Sequence, residues 1–188
     1  MAFDNAKSEQ EDLGQEYASI LLRRGDGKRE YYLQRRTNKA KPYYGKIGLF
    51  GGKREPTDSS PKACALREIH EETGLKFLEP SLIELGVIKS FNFYGENSTG
   101  YIFAIDQITG ARLRSINPND EGELVEADDG WIKRNWSNLT PIASFALSQH
   151  HEYLRIRKET GLVKKMQALP LIGRFMPDRP VRREFATG

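Results

Sequence analysis

Cysteine is nearly absent from this chain: Cys64 stands alone among 188 residues. A lone thiol excludes an internal disulfide and a cysteine-rich zinc cluster, and it points to a reducing, cytoplasmic setting. Histidine is scarce too, and two of the three, His150 and His151, are neighbours on an expected helix. Adjacent helical side chains do not face one site, so a two-histidine metal centre is set aside. No apolar run approaches the roughly 20 residues that a membrane-crossing helix needs. The opening Met1-Ala2-Phe3-Asp4-Asn5 lacks the basic start and apolar centre of a secretory signal. Internal repeats and low-complexity tracts are missing as well. Charge is close to balanced, 29 basic against 26 acidic residues for a net +3. That excess helps to attract phosphates but is too small to make nucleic acid an expected partner.

What is present, 38% hydrophobic and 29% charged residues, is the mix of a soluble globular chain. The length suits one domain over residues 16–160, with a polar lead-in at 1–15 and a basic extension at 161–188 that carries Lys164, Lys165, Arg174, Arg179, Arg182 and Arg183. The extension is compatible with wrapping the domain, joining a homodimer or staying loose. Strands are expected at 17–23 and 30–36, returning as a hairpin over Gly25-Asp26-Gly27, then at 46–50, 82–88 and 101–105, with Trp131-Ile132 beginning a last short one. A covering helix is expected over 141–159, its sheet-facing stripe formed by Ile142, Phe145, Ala146, Gln149, Tyr153 and Ile156.

The most informative stretch begins at Gly51-Gly52-Lys53-Arg54-Glu55-Pro56 and runs through a turn into Pro61 and a short helix. Ser60 is an N-cap, Pro61 suits the first helical position and Gly74 suits a left-handed stop, so the helix is expected over 61–73. Leu66, Ile69 and Thr73, with Ala65 at the shoulder, form the stripe that goes to the core. Glu68, Glu71 and Glu72 are related by three- and four-residue steps and gather on an arc roughly opposite. Arg67, four residues before Glu71, relieves part of their repulsion, but one guanidinium cannot neutralise three carboxylates. A divalent cation can: hard oxygen ligands suit Mg²⁺ or Mn²⁺, which take the rest of their shell from water and substrate phosphates. The glycine pair lets backbone approach the same place, with the Gly52 carbonyl a further candidate ligand. Arg-Glu-Ile-x-Glu-Glu-x-Gly-Leu arises by chance in such a chain with odds on the order of 10⁻⁵.

Arg67-Glu68-Ile69-His70-Glu71-Glu72-Thr73-Gly74-Leu75 resembles the second half of the Nudix hydrolase signature, and Gly51-Gly52-Lys53-Arg54-Glu55-Pro56 resembles its opening. The resemblance implies an α/β fold, an α/β/α sandwich about a mixed β-sheet. It also implies hydrolysis of the pyrophosphate in a nucleoside polyphosphate or nucleoside diphosphate derivative, with Mg²⁺ or Mn²⁺ and water. Two departures stand out. The family pattern carries a glutamate ahead of the arginine where this chain offers Asp58, one methylene shorter, and there is one residue too many between Asp58 and Arg67. Because Pro61 keeps the usual distance from Arg67, the extra residue is placed in the Asp58-Ser59-Ser60 turn.

By the same resemblance, a loop glutamate completes the metal shell; Glu121 and Glu123 are the candidates, ahead of Glu126. Tyr94 is placed near a base-stacking tyrosine of members that take dinucleoside polyphosphates. In the basic, aromatic loop at 37–45, Tyr44 is suited to stack on a base while Lys41 meets phosphate. Glu68, Glu71 and Glu72 are the expected catalytic ligands, and Glu68 or Glu72 is also expected to position or deprotonate water. Arg67 is expected to orient a carboxylate by a paired hydrogen bond without touching substrate. Two other classes stay open: a nucleotide-sensing or RNA-binding module that does not turn over, and a structural protein with a coincidental acidic helix.

Overall fold

The structure, a computed structural model, describes residues 14–25, 30–40, 42–91, 97–116 and 122–160. Lys41, Tyr94, Glu121, most of the polar lead-in and the basic extension lie outside the described residues.

The chain begins with two long strands, β1 (Gln15–Arg24) and β2 (Glu30–Arg36). They pair antiparallel only next to their connection, at Leu22↔Tyr32 and Arg23↔Tyr31, and then part. The segment expected as one strand at 46–50 fills the resulting gap as two: β3 (Ile47–Gly48) pairs with β2, while β4 (Phe50–Lys53) pairs with β1. The glycine pair thus sits at the open end of the fork. On its other edge β1 runs parallel to β6 (Asn97–Ile108), which pairs antiparallel with β5 (Ile83–Phe91). The outer edge of β2 takes β7 (Gly122–Asp128), completing a mixed seven-stranded sheet.

Helix α1 (Pro61–Thr73) covers one face, and its ends are held by local chemistry. The Ser60 hydroxyl accepts from Ala63 N–H at 3.1 Å, and Gly74, at φ 73°, returns its N–H to the His70 carbonyl at 2.8 Å. Cys64, Ala65 and Ile69 pack with Ile20, Leu22, Tyr32, Phe50 and Phe103. A short α2 (Gly110–Leu113) buries Leu113 against the same cluster. The opposite face is covered by α4 (Pro141–Thr160), reached through α3 (Asp129–Arg134). Among the described residues no helix is long and apolar enough to cross a membrane.

Two expectations are corrected. Trp131 and Ile132 lie in α3, because the Asp128 carboxylate caps the helix by accepting from Trp131 N–H at 2.6 Å. The buried stripe of α4 is Ala143, Ala146, Leu147 and His150; Ala146 is as expected and Phe145 packs against the same cluster, but Ile142 is exposed. His150 turns inward because its Nδ1 lies 3.2 Å from the buried Tyr31 hydroxyl. Burial drives the imidazole pKa down to about 4, so the ring is neutral at ordinary pH.

Two glycines flanking the site are expected to differ in tolerance. Gly74 has a left-handed backbone but nothing within 4 Å of an added Cβ, so Gly74→Ala should cost about 1–2 kcal/mol. Gly51, at φ 132°, would drive a Cβ into the Ala18 carbonyl, so Gly51→Ala should cost roughly 3 kcal/mol or more. Urea unfolding of the two variants checks this; equal losses would refute close strand approach as the reason for Gly51.

Candidate active site

The site forms where the open end of the strand fork meets α1. Glu72, in the last turn, was expected on the arc opposite the core, yet only 4% of it is exposed. Its carboxylate reaches into the sheet, where one oxygen accepts the Gly51 N–H at 2.6 Å and the other faces Gln34 Nε2 at 3.5 Å. A carboxyl group this deeply buried needs hydrogen-bond partners of this kind.

Glu68 lies one turn earlier and stands directly against Gly52. A Cβ built on that glycine would be 2.5 Å from Glu68 Oε1 and 2.6 Å from its carboxyl carbon. The missing side chain is therefore the space that the carboxylate occupies. Glu71 points outward and is about half exposed.

Arg67 ties these acids to the preceding loop. Its Nη1 lies 2.9 Å from both Glu68 Oε1 and Glu71 Oε2. Its Nε and Nη2 donate to the two oxygens of Asp58 at 3.1 and 2.9 Å, and Nη2 also reaches the Lys53 carbonyl at 3.1 Å. The paired hydrogen bond expected of Arg67 is thus made to Asp58. These bonds hold the Asp58 carboxyl below the usual carboxylate range and raise the guanidinium pKa further. Asp58 also accepts the Glu55 N–H at 2.8 Å and returns its own N–H to the Glu55 carbonyl at 3.0 Å, which closes a turn immediately before the Asp58-Ser59-Ser60 segment.

Cys64 sits beneath the group, 3.9 Å from the Gly52 carbonyl and 3.7 Å from Arg67 Nη2. Burial first, and the charges of Asp58 and Glu68 next, push the thiol up to about 12. It stays protonated at neutral pH and is not a nucleophile.

Among the described residues no three His, Cys, Asp or Glu side chains already stand together closely enough to hold a metal ion. The donor chemistry nonetheless fits Mg²⁺ or Mn²⁺. Glu68, Glu71 and Glu72 offer only hard oxygens, Gly52 leaves the space in which Glu68 rests, and a cationic nitrogen already draws two of the three carboxylates together.

The remaining candidates separate. Glu123 is not in a loop but on β7, opposite Arg35, with its carboxylate 3.5 Å from Arg35 Nε. Strand alternation puts it on the side of Val125, which packs with the α4 cluster, and so away from the acids of α1. Glu126, ranked below it, shares the side of Leu124, which packs with the α1 cluster. Tyr44 is exposed in the loop at 42–46, with Lys39 Nζ 6.0 Å from its ring centre. Gln34 and the Gly51 N–H, both partners of Glu72, carry no sequence signal because they become neighbours only when the sheet assembles.

A family model described as NUDIX domain matches residues 15–150. Among proteins of curated function, none matches the chain. Solved structures are similar at low identity. NrtR of Shewanella oneidensis superposes with a TM-score of 0.60 at 19% identity, over 76% of this chain and 63% of that one. A NUDIX hydrolase from Nitrosomonas europaea gives 0.57 at 18%, over 74% and 89%. A bifunctional NMN adenylyltransferase/ADP ribose pyrophosphatase from Francisella tularensis, complexed with AMP and a Mn ion, gives 0.56 at 18%, over 74% and 41%. The chain therefore spans less than two thirds of NrtR and of the Francisella protein, and at these identities the likeness is one of fold.

The Asp58–Arg67 pair makes a pH-dependent contribution of known sign. Because the folded-state pKa of Asp58 is depressed, the stabilisation is complete above the unfolded value of about 3.9 and is lost as pH falls through the lower folded value. Asp58→Asn should lose about 2–3 kcal/mol at pH 7. The gap to the wild type should narrow only below about pH 4, as urea unfolding at pH 7 and pH 3 would establish. A gap of the same size at both values would refute the ionised pair.

Proposed function

Because the chain belongs to the Nudix family, we propose that it is a pyrophosphohydrolase that splits the pyrophosphate linkage of a nucleoside polyphosphate or nucleoside diphosphate derivative by water attack, with Mg²⁺ or Mn²⁺ held by Glu68, Glu71 and Glu72. The observation that carries this reading is the fixing of two carboxylates against the glycine pair, Glu72 by the Gly51 N–H and Glu68 by the space at Gly52. The AMP and Mn ion bound by the Francisella protein of the same fold are consistent with it.

Attack on a diphosphate is slow because water must approach an anionic centre while the departing phosphate gathers charge. The dication, when bound, supplies neutralisation of that charge and acidifies water. The protein's own part is placement. Glu72 is fixed in place by its backbone donor, and Glu68 stands beside Gly52, so these two are the groups placed to orient a water or take its proton. Arg67 has its fork on Asp58 and its remaining nitrogen on Glu68 and Glu71, so it orients carboxylates and leaves the substrate to other groups. The Cys64 thiol excludes water beneath them without taking part.

The test is a panel of nucleoside triphosphates, dinucleoside polyphosphates and ADP-ribose with Mg²⁺ and Mn²⁺, products scored by chromatography. Glu71→Gln and Glu72→Gln should each lower turnover roughly 10²–10⁴-fold. Gly52→Ala displaces only the tip of a flexible side chain; it should leave the melting temperature nearly unchanged while costing about 10–100-fold in activity. Wild-type rates from both glutamine variants would contradict the assignment. Retention of nucleotide without product by the wild type would mark a binding module instead.

A further inference from the structure

The loop that carries Asp58 is gripped from outside the acidic cluster. Arg54, just beyond β4, donates its backbone N–H to the Glu16 carbonyl at 2.8 Å. Its Nε and Nη2 both donate to the Asp58 carbonyl, at 3.2 and 3.1 Å. Its Nη1 pairs with one oxygen of Glu16, whose other oxygen accepts the Tyr101 hydroxyl at 2.9 Å. Glu16 lies on β1 and Tyr101 on β6, in the parallel pair at the middle of the sheet. Burial pushes the Glu16 carboxyl up, but the hydrogen bonds from Arg54 and Tyr101 outweigh it and leave Glu16 below its ordinary value. The main chain of Asp58 is thereby anchored to the two central strands, while its side chain holds Arg67.

The two departures of this chain from the signature give the anchor a purpose. Asp58 is one methylene shorter than glutamate, and the loop before α1 is one residue longer. A short side chain separated from Arg67 by a lengthened turn meets both nitrogens of that arginine only if its backbone is held close. The group that holds it grips the carbonyl of that same residue. We propose that Arg54, braced by Glu16 and Tyr101, is a positioning residue: it holds Asp58 within reach of Arg67 and so sets the Glu68 and Glu71 carboxylates. The consequence for turnover rests on the hydrolase reading above; the consequence for the loop does not. Lysine cannot replace the guanidinium, because one ammonium cannot direct two donors to the Asp58 carbonyl and a third to Glu16 in a fixed plane.

The test starts from the metal-free protein. In Arg54→Ala, the amide protons of Glu55 and Asp58, which close the turn, should exchange about tenfold faster or more, with those of α4 unchanged. Glu16→Gln, which keeps shape and removes charge, should move them the same way by less. Titration calorimetry with Mn²⁺ alone should find binding to Arg54→Ala weakened about 10–100-fold. Asp58→Glu added to Arg54→Ala should recover most of that affinity, since the longer side chain regains Arg67 without the grip; a brace important only for folding would leave the double variant no better. Unchanged exchange in Arg54→Ala, or no recovery in the double variant, overturns the proposal. Should the wild type bind no Mn²⁺, the hydrolase reading fails, and the exchange data still decide whether Arg54 positions Asp58.

Discussion

One guanidinium organises the acidic end of this molecule. Arg67 meets Asp58, Glu68 and Glu71 within 2.9 Å, and Glu55 lies at the edge of reach at 4.0 Å. A planar fork suits this task, because two nitrogens satisfy one carboxylate while the third side of the plane serves the others. The attraction is strengthened by partial burial, yet one positive charge leaves a surplus of negative charge around it. Folding thus assembles a site that is electrostatically incomplete. On the function proposed above, a divalent cation and the phosphates it attracts would complement that surplus.

The sheet makes that assembly possible by dividing. If β1 and β2 paired along their full length, no backbone would lie under the carboxyl end of α1. Because they part after two pairs, the 47–53 segment enters between them and presents Gly51 and Gly52 to the helix. Each glycine answers a different demand. Gly51 needs a backbone conformation and a close approach to Ala18 that other residues resist, and its freed N–H goes to Glu72. Gly52 has an ordinary backbone and is needed for the volume it leaves to Glu68.

The parts of this structure that could be read from the sequence are those whose determinants are local. The bounds of α1 follow from Ser60, Pro61 and Gly74, all within a residue of its ends, and β2 follows from a run of β-formers between turn residues. The i,i+4 pairing of Arg67 with Glu71 follows from helical spacing. The misreadings have non-local causes. Glu72 resembles its solvent-facing neighbours in every local respect, and what buries it is an amide 21 residues away and Gln34, 38 away. His150 is missing from the expected stripe of α4 because its partner, Tyr31, is 119 residues distant. Glu123 was assigned to a loop because nothing nearby announces that β7 pairs with β2. Trp131 is the exception, since the cap three residues before it is a local signal that the strand propensity of a tryptophan–isoleucine pair obscured.

Buried polar groups lie on both faces of the sheet, and each face matches them with partners drawn from distant parts of the chain. Beneath α4, burial makes His150 neutral despite the nearby Asp106 charge, the Tyr31 hydroxyl lies against one of its nitrogens, and Asp106 itself is paired with Arg23 and Arg157. Beneath α1, Asp58 is held more firmly in its charged form, although neutralising it would have been the cheaper response to burial. Retaining that charge requires Arg67, and placing Arg67 requires a loop held in register by the sheet. A fold that needed only a core would have no reason to maintain such a chain of dependent contacts. On the function proposed above, that chain of contacts would aim the Glu68 and Glu71 carboxylates at a bound cation.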